Sequence, residues 1–101
     1  MSNDELAART WLPAHVNVSN SAQMIAPPRG NRRRITIVNY QTVTVYLGAD
    51  STITALSTNT LALASGASVT IESMAAIYGV TAATYTAASE DTKVHTWEEY
   101  G

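Results

Sequence analysis

The chain has no cysteine and no phenylalanine, only three prolines, and a charged fraction of 14%. Without cysteine there are no disulfides, thiolate metal sites or cysteine nucleophiles. Without phenylalanine, a core built from Ala, Val, Ile, Leu and Tyr is expected, and not a pocket walled by large aromatics. Charge is scarce compared with the roughly 25% usual in soluble domains, so solubility must rest on hydroxyl groups or on partners that cover part of the surface. The net charge of -2 gives no drive towards nucleic acid or an anionic membrane. No apolar run is long enough to span a bilayer. The opening MSNDELAARTW lacks a basic-then-apolar export pattern, and synthesis in the cytoplasm as a soluble protein is expected.

Catalytic signals are missing too. The only histidines, His15 and His95, lie far apart in sequence and have no metal-ligand spacing around them. His95 is expected to serve a structural or solvent-facing role on a terminal strand. Glu72, Glu90, Asp91, Glu98 and Glu99 could supply a carboxylate pair only beside a cleft, and their turn and tail positions read as solvated surface. There is no Gly-x-Ser-x-Gly elbow and no Gly-x4-Gly-Lys phosphate loop. No catalytic residue, cofactor or metal site is expected, and no enzyme activity.

What is present is alternation. Between Arg34 and Val80, Ile35, Ile37, Val43, Val45, Leu47, Val69 and Ile71 occupy every second position of short β-branched runs, the period of a strand with one buried face. Strands are expected at 34–40, 43–47, 67–72, 75–80, 82–87 and 93–97. Weaker ones fall at 15–18, 51–56 and 61–63. The Asn39-Tyr40-Gln41-Thr42 stretch reads as the turn of an antiparallel hairpin joining 34–40 to 43–47, and Ser65-Gly66 as another turn. Ala22–Ile25, stopped by Pro27-Pro28, reads as a stiff connector or edge segment. Seven or eight such strands predict an all-β fold, a single small antiparallel sandwich, jelly-roll-like or immunoglobulin-like. Residues 1–31 are read as an extended N-terminal arm with a Pro-rich connector, and 32–101 as the sandwich.

Four of the five arginines, Arg29, Arg32, Arg33 and Arg34, fall within six residues. Guanidinium groups match carboxylates and phosphates. A protein interface is the first reading of this cluster, a charged edge that blocks strand aggregation the second. Nucleic acid is the least favoured, because no second basic patch or aromatic platform accompanies it. Trp11 and Leu12, on the arm before Pro13, join the arginines as interface candidates, whereas Trp97 is expected to cap its own core.

ITIVNYQTVTVYLG, LASGASVTIESMAAIYGV and KVHTWEEY, taken in order, resemble the small β-sandwich structural proteins of tailed-bacteriophage virions. The resemblance runs from Arg32 to Tyr100 and rests on strand patterns and turn residues. It implies a virion protein made in the host cytoplasm, most simply a capsid decoration (cement) protein on the outer shell. The partners it implies are the major capsid protein and sister subunits, with a trimer favoured and neither membrane nor nucleic acid expected. The alternative it implies is a tail, head-fibre or neck accessory module that binds protein or host carbohydrate. Tyr40, Tyr46, Tyr78 and Tyr85 would be the stacking residues for the carbohydrate. On either reading, the junction at residues 29–34 is expected near the contact surface.

Overall fold

The computed structural model describes residues 11–82 and 93–100, with the backbone alone for Trp11 and Leu12. Eight strands are present in that range: β1 (Trp11–Val16), β2 (Gln23–Ala26), β3 (Arg32–Asn39), β4 (Val45–Gly48), β5 (Leu61–Leu63), β6 (Ser68–Ile71), β7 (Ile77–Val80) and β8 (Val94–Tyr100). They form two four-stranded sheets ordered β1-β8-β3-β6 and β2-β7-β4-β5. Every pairing is antiparallel.

The pairings are nested: β4 with β5, β3 with β6, β2 with β7 and β1 with β8. One long antiparallel ribbon, turned back between β4 and β5, is therefore rolled up so that β3 also meets β8 and β4 also meets β7. This is the jelly-roll solution to a sandwich, and it distinguishes the fold from the immunoglobulin arrangement.

Rolling up also overturns the expected hairpin between residues 34–40 and 43–47. Those strands lie in different sheets, and each connection except β4 to β5 passes from one sheet to the other. The 51–56 stretch forms turns and no strand, while Ile53 is buried beneath them. The expected strand at 82–87 lies outside the described residues apart from Ala82.

The alternation is what fills the roll. Ile35, Ile37, Val45 and Leu47 are buried together with Val18, Ile25, Leu63, Ile77 and Val94, and Val69 and Ile71 pack against them. Residues 11–26, read from sequence as arm and connector, supply β1 and β2, one edge strand to each sheet. Pro13 in β1 and Pro27-Pro28 after β2 fit these edges, where a missing N–H breaks no ladder. Gly66 takes a φ of 81° at the turn where the Ala67 N–H donates to the Ala64 carbonyl at 2.9 Å, a geometry that favours glycine.

Gly79 matters for a different reason. A methyl group on it would overlap the Cδ1 of Ile25 and come within 3.3 Å of Val45 Cγ1. Gly79→Ala is expected to cost about 1 to 3 kcal/mol by overpacking, seen as a lower urea midpoint. Adding Ile25→Val removes the opposing methyl and should recover part of the loss.

Candidate functional site

The roll has two ends. One, here called the base, gathers the start of β1, the end of β8, and the connections at 27–31, 49–60 and 72–76. The other, the top, gathers the connections at 17–22, 40–44 and 64–67. All four arginines of the cluster are at the base.

A β-bulge sorts them. Arg32 pairs with Tyr100 and Arg34 with Glu99, so one extra residue of β3 is accommodated between them. The extra residue turns Arg32 inward and leaves Arg33 outside, because a bulge re-aims the side chains next to it. The Arg32 side chain is fully buried and its Nη1 donates to Glu98 Oε1 at 2.8 Å. Three further bonds go to backbone carbonyls: Nε to Ser73 at 2.7 Å, Nη1 to Pro27 at 2.9 Å, and Nη2 to Ala75. One guanidinium thus ties together the β2–β3 connection, the β6–β7 connection and β8.

Glu98 points inward because Val94, Thr96 and Glu98 alternate along β8. It also accepts from Arg29 Nε at 3.2 Å, and the Arg29 guanidinium lies 5.5 Å from the centre of the Tyr100 ring. On the outer face, Arg34 Nε meets Glu99 Oε1 at 2.9 Å. Arg33 is exposed and makes no ion pair among the described residues. Of the interface candidates, Arg32 is therefore a structural tie, Arg29 and Arg34 are part-exposed members of ion pairs, and Arg33 is the open cation. The backbones of Trp11 and Leu12 pair with Glu99 and Glu98, which brings them to the same end of the molecule.

Beside the arginines is an open, mainly apolar cleft of about 360 Å³, lined by Leu47, Gly48, Leu61, Ile71, Ala76 and Ile77 among others. Leu61 on its wall and Met74, between the lining residues Ser73 and Ala75, are half exposed. In the 49–60 connection, Asp50 accepts from the Thr52 hydroxyl and N–H, and these bonds hold its carboxyl below the usual carboxylate range. The small stability this contributes is present at neutral pH and is lost as pH falls through the lowered value.

The outer face of the β1-β8-β3-β6 sheet differs from its inner face. Trp97 faces outward and is 46% exposed, contrary to the expectation that it caps the core. The reason is its place in the β8 alternation, one step from Thr96 and Glu98, both buried. Near it, the Thr36 and Thr70 hydroxyls bond at 2.9 Å. His15 and His95 sit directly opposite one another on β1 and β8, and Tyr40 packs edge-to-face on His95. Tyr40 is the most open of the described tyrosines, Tyr46 and Tyr78 are half-buried, and Tyr85 lies outside the described residues.

Sequence reasoning missed the partners of the arginines. The signal was available in Val94-x-Thr96-x-Glu98, which puts a carboxylate on the inward face of the last strand. It also missed the polar residues that close the top. Gln41 is fully buried, accepts from Val18 N–H at 2.7 Å and donates to Val18 C=O at 3.0 Å. Asn39 donates to the carbonyls of Val43 and Leu63, both at 2.9 Å. The two residues lie in the stretch read as a hairpin turn.

No protein-family model matches the chain. No curated protein matches it either. Among solved structures, the stem and receptor-binding domain of the spike protein P1 from bacteriophage PM2 is similar, with a TM-score of 0.58 over 72% of this chain at 14% identity. The chain covers 29% of that structure's length. The likeness is one of fold.

Proposed function

We propose that the chain is a non-enzymatic structural module of a bacteriophage virion, carried on the particle's outer surface and attached through its base. The observation that carries this reading is the jelly-roll fold shared with a bacteriophage spike, together with the pattern resemblance to small virion sandwiches that runs from Arg32 to Tyr100. The fold alone does not assign a function. The base adds the chemistry of attachment: an exposed cation at Arg33 with no ion pair among the described residues, part-exposed ion pairs at Arg29 and Arg34, and an apolar cleft with Leu61 on its wall.

In the finer reading, the chain is a decoration protein. Its partners are the major capsid protein and sister copies of itself, arranged as a trimer at a symmetric site of the shell. A spike, fibre or neck accessory module is the second reading, and it is favoured by the spike likeness. Both place the base towards the particle.

The test is co-sedimentation with purified shells. Arg33→Glu changes exposed charge without touching the buried Arg32–Glu98 pair, so the variant should fold normally and bind about tenfold more weakly or worse. Deletion of residues 1–10 keeps every described residue of β1, Trp11–Val16, and should also lower occupancy. Unchanged occupancy for both variants would sink attachment through the base.

A further inference from the structure

The two histidines, 80 residues apart in the chain, are brought into direct register on the outer face of the β1-β8-β3-β6 sheet. We infer that His15 and His95 form a two-imidazole site for a late first-row divalent ion, Cu2+, Ni2+ or Zn2+, that clamps β1 to β8.

The geometry is specific enough to test. The ring centres of His15 and His95 are 5.8 Å apart and the planes are inclined by 38°. An imidazole nitrogen binds such an ion at about 2.0 to 2.1 Å, so two rings on one ion at an open tetrahedral angle have centres roughly 5 to 6 Å apart. The observed separation falls in that interval.

The pair is also held in place. Tyr40 packs edge-to-face on His95 with ring centres 4.8 Å apart. Tyr40 is itself anchored by its N–H, which donates to the Lys93 carbonyl at 3.0 Å just before β8 begins. His15 is exposed and His95 half-buried, which leaves room for water to complete the coordination shell. Among the described residues no set of three His, Cys, Asp or Glu side chains converges. Among the described residues the protein ligands are therefore these two nitrogens, with water beside them. Imidazole ligands select late transition metals over Mg2+ and Ca2+, with Cu2+ the tightest.

The consequence is mechanical. Among the described residues β1 is an edge strand that pairs with β8 alone, and it carries the N-terminal segment. An ion shared between His15 and His95 ties that edge to the central strand β8. Because the bound ion favours the folded chain, it raises the unfolding midpoint.

The chain contains no cysteine and no third histidine, so untagged protein gives a clean background. Titration with Ni2+, Zn2+ and Cu2+ by calorimetry should show one ion per chain, with no response to Mg2+ or Ca2+. His15→Ala and His95→Ala, each confirmed to be folded by circular dichroism, should weaken binding about tenfold or more, at least as much as losing an outer-shell partner does at other sites. Both histidine side-chain NMR signals should shift together in Zn2+, and at equal ion concentration the unfolding midpoint should rise more in the wild type than in either variant. Affinity within twofold of wild type in either variant, or independent movement of the two signals, would overturn the shared site. So would the absence of binding at millimolar ion.

Discussion

Arg32→Ala is expected to destabilise the fold by about 3 to 5 kcal/mol, the cost of leaving a buried charge without its partner. That is a large share of the roughly 5 to 15 kcal/mol that holds a small domain together. The size follows from how many groups one guanidinium serves. Glu98 would keep only the longer, part-exposed contact to Arg29, and the carbonyls of Pro27, Ser73 and Ala75 would all lose a donor. Arg32→Lys should recover only part of the loss, because an ammonium has three donors in a compact head and cannot reach four acceptors arranged around a planar fork. Glu98→Leu combined with Arg32→Met removes both charges and should cost less than the two single changes summed. Recovery will be incomplete, since the three carbonyls still need donors. Urea denaturation of the five variants, the two single changes of the last pair included, reads all of this from the midpoints. If Arg32→Ala shifted the midpoint by an amount worth less than about 1 kcal/mol, the tie at the base would not be what holds it.

At the opposite end, Gln41→Ala is expected to cost about 2 to 4 kcal/mol, from two buried backbone groups left unsatisfied and a small cavity. The side-chain amide of Gln41 pairs with Val18 as a neighbouring strand would, accepting from its N–H and donating to its C=O. Val18 is fully buried, so water cannot substitute without opening the core. Gln41 is held in turn by its own N–H to Asn39 Oδ1 at 2.9 Å and by the Ser65 hydroxyl on its carbonyl at 2.6 Å. Gln41→Glu preserves shape but places an oxygen against the Val18 carbonyl. At neutral pH it should be as harmful as alanine. At acid pH, protonation restores a donor, so the deficit relative to wild type should shrink. Hydrogen exchange at Val18 would report the same loss locally, with its amide exchanging faster in Gln41→Ala than in the wild type.

These two polar plugs also explain how far the fold could be read from residues alone. The period-two pattern at Ile35, Ile37, Val45 and Leu47 is a local property, and it correctly marks strands and a sandwich with one buried face per sheet. Which strands pair is a global property. Residues 39–42 have the composition of a tight turn, yet Asn39 and Gln41 are the buried polar residues that close the crossover from one sheet to the other. Turn propensity and crossover closure draw on the same residue types, so the pattern could not show that β3 and β4 part into different sheets.

The arginine cluster is a similar case. Composition marks Arg29 to Arg34 as the strongest charge feature, and its location at the end that gathers the chain's β1 start, β8 end and cleft follows from the roll. Which arginine is buried depends on a single bulged residue, and bulges leave no signature in a run of identical side chains. The pairing of His15 with His95 is further still from sequence, because it needs the register of the first strand on the last.

The central claim is that this jelly roll stands on a bacteriophage particle with its base inward. Electron cryomicroscopy of purified particles, with the chain identified in them by mass spectrometry, tests it most directly. The account predicts density for an eight-stranded sandwich on the outer surface, the Arg29–Arg34 end against the particle and the Ser65-Gly66 turn pointing away. Absence of the chain from purified particles, or a sandwich bound by its top with the arginines facing solvent, would contradict it.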